Sequence, residues 1–421
     1  TVPSARKRQP IDSSLQRDAL WHHALLIRVS RSDMQAFSRD QFAIPTHGQP
    51  WAYFCGNSLG LMPRSVPAAL ARVTEQWATL AVEAHFTDRD AWMPYHERVR
   101  DSLARLVGAK PLEVVAMNTL TTNLHLMLAS FYRPKGERCA ILIEARAFPS
   151  DRHAVASQIE LAGGDPNRDL IELAPLPGED TLQPSQIDAT IAALGERLAL
   201  VLWPGVQYAT GQRFDLARIA AAAHAVGAAA GFDLAHAVGN VPVDLHDANA
   251  DFAVWCSYKY LNAGPGAIAG CFVHERHAEA ELPRMAGWWG HDAGTRFQMG
   301  PEFRPTPGAD GWQLSNPSIF ALAPLRASLD LFDRVGIDAL RQRSMEFTGY
   351  LASVIDAELA DSLQILTPKD PLQRGCQLSL RVRGGREAGK SLHAAMHARG
   401  VIGDWREPDV IRVAPAPLYN D

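Results

Sequence analysis

Cysteine is scarce in this chain. Five occur among 421 residues, at positions 55, 139, 256, 271 and 376, and no two are spaced as CxxC. That pattern argues against a disulfide framework, a zinc ribbon or a dithiol redox centre, and points to free thiols in a reducing cytoplasm. The 15 histidines contain no HExxH pattern, so no metal centre is expected. No apolar run approaches the roughly 18 residues of a membrane-spanning helix. Residues 1–31 carry a small basic cluster, Arg6, Lys7 and Arg8, but no apolar core of a signal peptide, and read as a disordered N-terminal extension. No other basic block accumulates, and the formal net charge is −5, which disfavours nucleic-acid partners. Internal repeats and low-complexity tracts are missing too. A composition of 47% hydrophobic and 21% charged residues is that of an ordinary globular protein, long enough for a large and a small domain.

Against this background one stretch stands out. Residues 231–270 read GFDLAHAVGNVPVDLHDANADFAVWCSYKYLNAGPGAIAG. Two short apolar runs in it predict buried strands, one delivering Asp233 at its tip and the other, 252–256, delivering Lys259 just past its end. Ligands of covered sheets bind beyond strand ends, so this acid and this lysine, 26 positions apart, are expected at one pocket. Most lysines are solvated surface charges. Lys259, however, sits among Ser257, Tyr258, Tyr260 and the glycines at 264 and 266. An Asp and a Lys so placed suit pyridoxal phosphate (PLP) chemistry, in which the amine forms a Schiff base and the carboxylate keeps the pyridine nitrogen protonated.

Seven motifs carry a resemblance: FCGNSLGL at 54–61, MNTLTTNLHLML at 117–128, FPSD at 148–151, FDLAHAVGN at 232–240, CSYKYLNAGPG at 256–266, GWWGH at 287–291 and IRVAPAPLYN at 411–420. Together, from about Tyr53 to Tyr419, they resemble the kynureninases. The resemblance implies an α/β, PLP-dependent transferase-like protein of fold type I, with a mainly parallel seven-stranded sheet in a large domain and a small α+β C-terminal domain. The alternation of strand and helix patterns over 114–260 independently supports the parallel sheet. The expected division is 1–31 extension, 32–110 segment lining the substrate site, 111–335 large PLP-binding domain and 336–421 small domain. Family members continue past this point with a terminal helix.

In chain order, residues 32–42 look helical. Asn57 and Ser58 lie in a tight polar turn after an extended piece at 51–54. On the residues alone it is a plain turn, and the resemblance puts it at the substrate end of the site. A helix is expected over 63–82, and His85 follows in a loop. Loop histidines are ordinarily just exposed, whereas the resemblance brings His85 to the substrate's aromatic ring. A further helix is predicted at 95–107. Residues 118–123 precede an apolar helix at 124–131, and their side chains can cap it or leave its start to a phosphate. By resemblance Leu120 and Thr121 hold the cofactor phosphate. Phe148 on its own reads as core. The resemblance has it stack on the pyridine ring and Asp151 contact the cofactor, with Pro149, Ser150 and His236 in the same binding set. Pro204 departs from the family, some members of which have Ser there. Trp288 reads as core or interface. By resemblance it reaches the neighbouring subunit's cofactor phosphate, and so does Asn316, which also borders the substrate. That implies a homodimer with shared sites. A helix is expected to begin at Pro324. Arg412 falls in a strand, where an exposed face is the ordinary reading, but the resemblance makes it a clamp on the substrate α-carboxylate.

The resemblance further implies a hydrolase of tryptophan catabolism, in the kynurenine pathway towards NAD biosynthesis. It would cleave L-kynurenine to anthranilate and L-alanine, and 3-hydroxy-L-kynurenine to 3-hydroxyanthranilate and L-alanine. Its catalytic residues would be Lys259, Asp233 and Tyr258. His85 with Ser315 and Asn316 resembles members that favour the 3-hydroxylated ring. The main rival is another fold type I lyase such as a cysteine desulfurase, which needs a reactive Cys on a mobile loop after the Lys. Residues 384–391, GGREAGKS, satisfy the phosphate-loop pattern, but only 30 residues follow, too few for the rest of a nucleotide-binding sheet.

Overall fold

Seven apolar runs of four to seven residues form one sheet: β1 Val114–Met117, β2 Ala140–Glu144, β3 Leu170–Leu173, β4 Leu198–Pro204, β5 Ala229–Asp233, β6 Phe252–Trp255 and β7 Ala269–Val273. Their order is β1-β7-β6-β5-β4-β2-β3, and every pairing is parallel except those of β7. The strands are mostly apolar because both faces are covered; Glu144 and Asp233 come at strand ends, and Glu172 is exposed on the edge strand β3. Val114 and Ala116 enter one core while Val115 and Met117 enter the other, and Leu142 and Ile143 divide likewise. This is the period-two alternation of a strand with a core on each side. The computed structural model describes residues 39–87 and 89–420. The expected extension and most of the expected helix at 32–42 lie outside the described residues.

The main helices are α1 Val66–Leu80, α2 Arg100–Val107, α3 Leu120–Phe131, α4 Pro149–Leu161, α5 Pro184–Leu194, α6 Leu216–Ala225, α7 Ile319–Val335, α8 Ile337–Glu358 and α9 Gly385–Ala398. Three differ instructively from expectation. The helix expected over 95–107 is a 3-10 turn, Tyr95–Val99, running into α2. Helix α3 starts at Leu120, four residues early, two residues after Asn118, whose φ is +46°. Helix α7 starts at Ile319 and takes Pro324 inside it. A helix-internal proline forfeits one backbone bond. Here Leu322, Ala323 and Leu325 are all buried around it, and packing overrides the local preference. Among the described residues no helix is long and apolar enough to cross a membrane.

Strands β8 Leu363–Ile365, β9 Leu378–Val382, β10 Asp404–Arg406 and β11 Val410–Val413 make a second, fully antiparallel sheet in the order β8-β9-β11-β10. Its core takes Ile355 from α8, with Leu392 and Met396 of α9 packed against it. The other end of α8 packs Ile337 on the large core, so one 22-residue helix serves both. The phosphate-loop pattern is a helix here. Residues Arg386 to Ser391 all lie in α9, and Lys390 pairs with Glu407 at 3.4 Å. No loop remains to arch its N–H groups around a phosphate.

At the sheet edge where β5 and β6 begin, Asp251 is buried and fully engaged. His224 and His277 donate to it at 2.8 and 2.7 Å, Arg276 at 2.6 Å and the Ala230 N–H at 2.7 Å. Burial alone would raise this carboxyl, but the four donors outweigh it and hold the group well below the usual carboxylate range. A depressed carboxylate stabilises the fold at every pH above its unfolded value, near 4, and loses that contribution as pH falls towards the folded value. Asp251→Asn is therefore expected to lower unfolding free energy near pH 7 by about 3 kcal/mol, the order seen for broken buried pairs. In denaturant titrations the gap to the wild type should narrow below about pH 4. A gap that stays constant down to pH 2 would remove the assignment.

Candidate active site

Asp233 ends β5 in register with Pro204 on β4 and Val254 on β6, and Lys259 follows β6 by four residues. Both leave the sheet at its C-terminal edge, and both line one cleft. Leu120, Thr121, Phe148, Ser150, Asp151, His236 and Tyr258 line it too, as does Pro204. Ten of the residues singled out from the sequence are thus brought to one place by four strand ends and two helix starts. Pro149 opens α4 between Phe148 and Ser150.

The two helix starts are built alike. Thr119, the residue before α3, is extended, and its side chain makes no cap hydrogen bond. Its hydroxyl instead meets that of Thr122 at 3.0 Å. Capping is therefore not what this polar run does, and the first N–H groups of a 12-residue helix stay available to an anion. Helix α4 begins at Pro149, also without a side-chain cap. Thr121 and Ser150 share a hydrogen bond at 2.9 Å and tie the two starts together. Phe148 is 43% exposed, large for an aromatic in a core, and meets Tyr208 edge-on at 5.4 Å.

The cleft is rich in carboxyls. Glu144, at the end of β2, is missing from the sequence reading because its strand looks like plain core. It lines the cleft with Asp151 and Asp233. All three are buried, and burial is the main reason each carboxyl is raised. Asp233 adds to the rise of the other two, while a hydrogen bond with Asp151, then the Ala235 N–H, 2.6 Å from Asp233 Oδ1, and then Lys259 pull against that of Asp233. The Lys259 ammonium lies 3.1 Å from His236 Nε2 and 5.8 Å from the Phe148 ring centre. Burial first, and then the Lys259 charge, push the imidazole well down, so His236 is neutral and accepts from the ammonium at Nε2. Its proton then sits on Nδ1, which is buried without a partner among the described residues. Burial, then the neighbouring Cys256 thiol, raise the Tyr258 hydroxyl.

The turn at 56–60 closes on the lysine loop. The Gly60 N–H donates to Tyr258 O at 2.8 Å, and a Cβ on Gly60 would lie 2.3 Å from Lys259 O. Only glycine permits that approach. Asn57, fully buried, donates to Gln377 at 2.9 Å. Gln377 and Arg412 both donate to Tyr208 O, at 2.9 and 2.7 Å, behind a side chain that lines the cleft. Arg412 is not on an exposed strand face. Its side chain is 1% exposed and pairs with Asp404 at 2.5 Å. Asp404 is a second residue missing from the sequence reading, since only strand register places it beside Arg412.

Seven predicted residues are not among those lining this cleft: Pro149, Asn57, Ser58, Arg412, His85, Trp288 and Asn316. His85 lies in a 3-10 turn, its ring 5.2 Å from that of Trp92. Trp288 is 40% exposed and donates to Arg296 O, and Asn316 is exposed ahead of α7. A larger groove lined by Asp188, Arg213, Phe214, Asp244 and Gln373 contains none of the predicted site residues. Among the described residues, Glu113, His246 and His274 form the group whose chemistry would suit a metal ion. Its atoms already have hydrogen-bond roles. Glu113 accepts from His246 and from the N–H groups of Glu275 and Lys110, and His274 Nδ1 accepts from the Arg276 N–H.

Residues 340–421 match the family model described as the Kynureninase C-terminal domain. A kynureninase of Xanthomonas campestris pv. campestris (strain 8004) is 64% identical over 383 residues, 91% of this chain and 90% of that protein. One from Xanthomonas euvesicatoria pv. vesicatoria (strain 85-10) is 63% identical over 402 residues, 95% of each. Among solved structures, a cysteine desulfurase from Escherichia coli superposes with a TM-score of 0.73 at 17% identity, over 92% of this chain and 94% of that one. A cystine C–S lyase mutant with glycine covalently linked to its PLP cofactor gives 0.72 at 18% identity, over 88% and 93%. At such identities the likeness concerns the fold alone, which is that of the fold type I PLP-dependent enzymes. The high identity to curated relatives, sustained along nearly the whole of both chains, places this chain in the kynureninase family.

Proposed function

We propose that the chain is a PLP-dependent hydrolase that cleaves the Cβ–Cγ bond of L-kynurenine to give anthranilate and L-alanine. It would treat 3-hydroxy-L-kynurenine likewise, in tryptophan catabolism, as a cytoplasmic homodimer. The observation that carries the reading is the cleft's charge. Glu144, Asp151 and Asp233 share it with Lys259, and Asp151 Oδ1 has no partner among the described residues. Burial raises all three carboxyls, and a protonated ring nitrogen is a cation that would favour the charged form of Asp233. The uncapped start of α3 supplies N–H donors for the phosphate of the same molecule.

When bound, PLP would supply an electron sink for negative charge developing on substrate carbon. Leu120 and Thr121 would hold its phosphate with Tyr258 beside them. Phe148 would cover one ring face, flanked by Pro149 and Ser150. Asp233 would keep the ring nitrogen protonated, and Lys259 would hold the aldehyde carbon. Once freed by the substrate amine, Lys259 Nζ would take the Cα proton. His236, neutral and already bonded to Nζ, orients that amine without competing for its proton. Arg412, with Asn57 and Ser58 nearby, would hold the substrate carboxylate. Water entering at the γ-carbonyl leaves as part of anthranilate, and the three-carbon fragment takes up a proton to become alanine.

Trp288 and Asn316 would act in the cleft of a partner subunit, which suits their exposure in one chain, and His85 would approach the substrate's aromatic ring. Trp77, Phe86 and Phe320 are also exposed, at 62%, 63% and 44%, as expected of a surface covered by a second copy. The desulfurase reading is not favoured. Cys271 and Cys376, the cysteines after Lys259, are fully buried, and burial pushes both thiols up. Adding L-kynurenine to the PLP-loaded protein should produce anthranilate fluorescence with one alanine per anthranilate. No anthranilate, with sulfide released from cysteine instead, would transfer the reading to the desulfurases.

A further inference from the structure

Arg412 and Asp404 face each other in register on β11 and β10. The donors of Arg412 are distributed unevenly. Nη1 donates to Tyr208 O at 2.7 Å. Nη2 donates to Asp404 Oδ2 at 2.5 Å and to Ser58 Oγ at 3.2 Å. Nε is buried without a partner among the described residues. A guanidinium grips a carboxylate with two parallel donors, and both of its two-donor edges, Nε–Nη2 and Nη1–Nη2, include Nη2. With both hydrogens of Nη2 engaged inside the chain, neither edge is open to a ligand carboxylate.

The same Asp404 oxygen accepts from two further donors, the Ser58 hydroxyl and, at 3.0 Å, Arg406 Nη2. Arg406 Nε is also buried without a partner among the described residues. Two guanidiniums therefore surround one carboxylate, leaving one positive charge uncompensated within the cluster. Entry of a second carboxylate would neutralise it. Asp404 would stay paired with Arg406, so the exchange strands no buried anion.

We propose that Asp404 is an internal stand-in for the substrate α-carboxylate, holding the Nη2 position of Arg412 until a ligand carboxylate displaces it while Arg406 retains it. Asp404 is then a specificity-determining residue that acts through Arg412, and Arg406 is its positioning partner. This deepens the reading of Arg412 as the carboxylate clamp and rests on it.

Steady-state kinetics of the PLP-loaded enzyme with L-kynurenine, and competitive inhibition by L-alanine, test the exchange. Asp404→Asn removes the competitor, so KM and the alanine inhibition constant should both fall, by about threefold or more, with the change in KM rather than kcat. Arg406→Gln removes the retaining arm, so both constants should rise by about as much. A merely structural Asp404 would raise KM on substitution. An unchanged or raised KM in Asp404→Asn, with KM strongly raised in Arg412→Lys, overturns the exchange while the clamp stands. An unchanged KM in Arg412→Lys defeats the clamp itself. If Asp404→Asn does not fold, Arg406→Gln decides: raised constants support the exchange and unchanged ones overturn it.

Discussion

Lys259→Ala should reduce turnover of L-kynurenine by on the order of a thousandfold or more, the size of effect that general-base and covalent roles together command. The same variant should lose the visible absorption of covalently held PLP. Fold loss does not explain such a result in advance. Among the described residues the Lys259 amine has one hydrogen-bond partner, His236, while its backbone carbonyl accepts from the Asn262 N–H at 3.0 Å regardless of the side chain. Alanine therefore keeps the loop and removes only the amine. It also removes a cation that adds to the effect of burial in holding the His236 imidazole down and that opposes the rise of Asp151 and Asp233. Cofactor affinity is expected to weaken along with chemistry. Wild-type turnover in Lys259→Ala, or an unaltered visible band, would end the proposal.

Asp233→Asn carries the second largest expected effect, a fall in kcat of roughly a hundred- to a thousandfold, comparable to losing one preorganised charge contact in a closed site. The amide keeps an oxygen to accept the Ala235 N–H, so the turn after β5 should survive. What goes is the negative charge opposite the ring nitrogen. Because Asp233 is one cause of the raised Asp151 and Glu144 carboxyls, removing it should let both move back towards the ordinary range. The PLP band should persist, since Lys259 is intact. Comparison of kcat with retained cofactor, read from absorbance on the same sample, separates lost chemistry from lost binding. Unimpaired kcat would mean Asp233 does not serve the ring nitrogen.

What the chain discloses of its site depends on distance along it. Asp233 and Lys259 were legible because each sits at the tip of its own apolar run, and strand tips converge in a parallel sheet. Glu144 has the same tip position, yet its run AILIE offers no polar neighbours to mark it. The polar run before α3 left capping and anion binding open, because a threonine's rotamer is not a sequence property. Asp404 was invisible, since its pairing with Arg412 depends on the register of two antiparallel strands. Helix α7 began earlier than Pro324 suggested because buried neighbours outvoted a local rule. His85, Trp288 and Asn316 show the opposite limit: the resemblance flagged them, and a single chain leaves them outside its own cleft.

Every residue lining the cleft falls between Leu120 and Lys259. The tie between Ser58 and Arg412, by contrast, spans 354 positions, and that between Asn57 and Gln377 spans 320. Contacts so remote form late, because a long loop must close before they reward the chain. During synthesis on the ribosome the cofactor-facing half can therefore assemble first, while the wall that recognises the amino acid waits for the last strand to emerge.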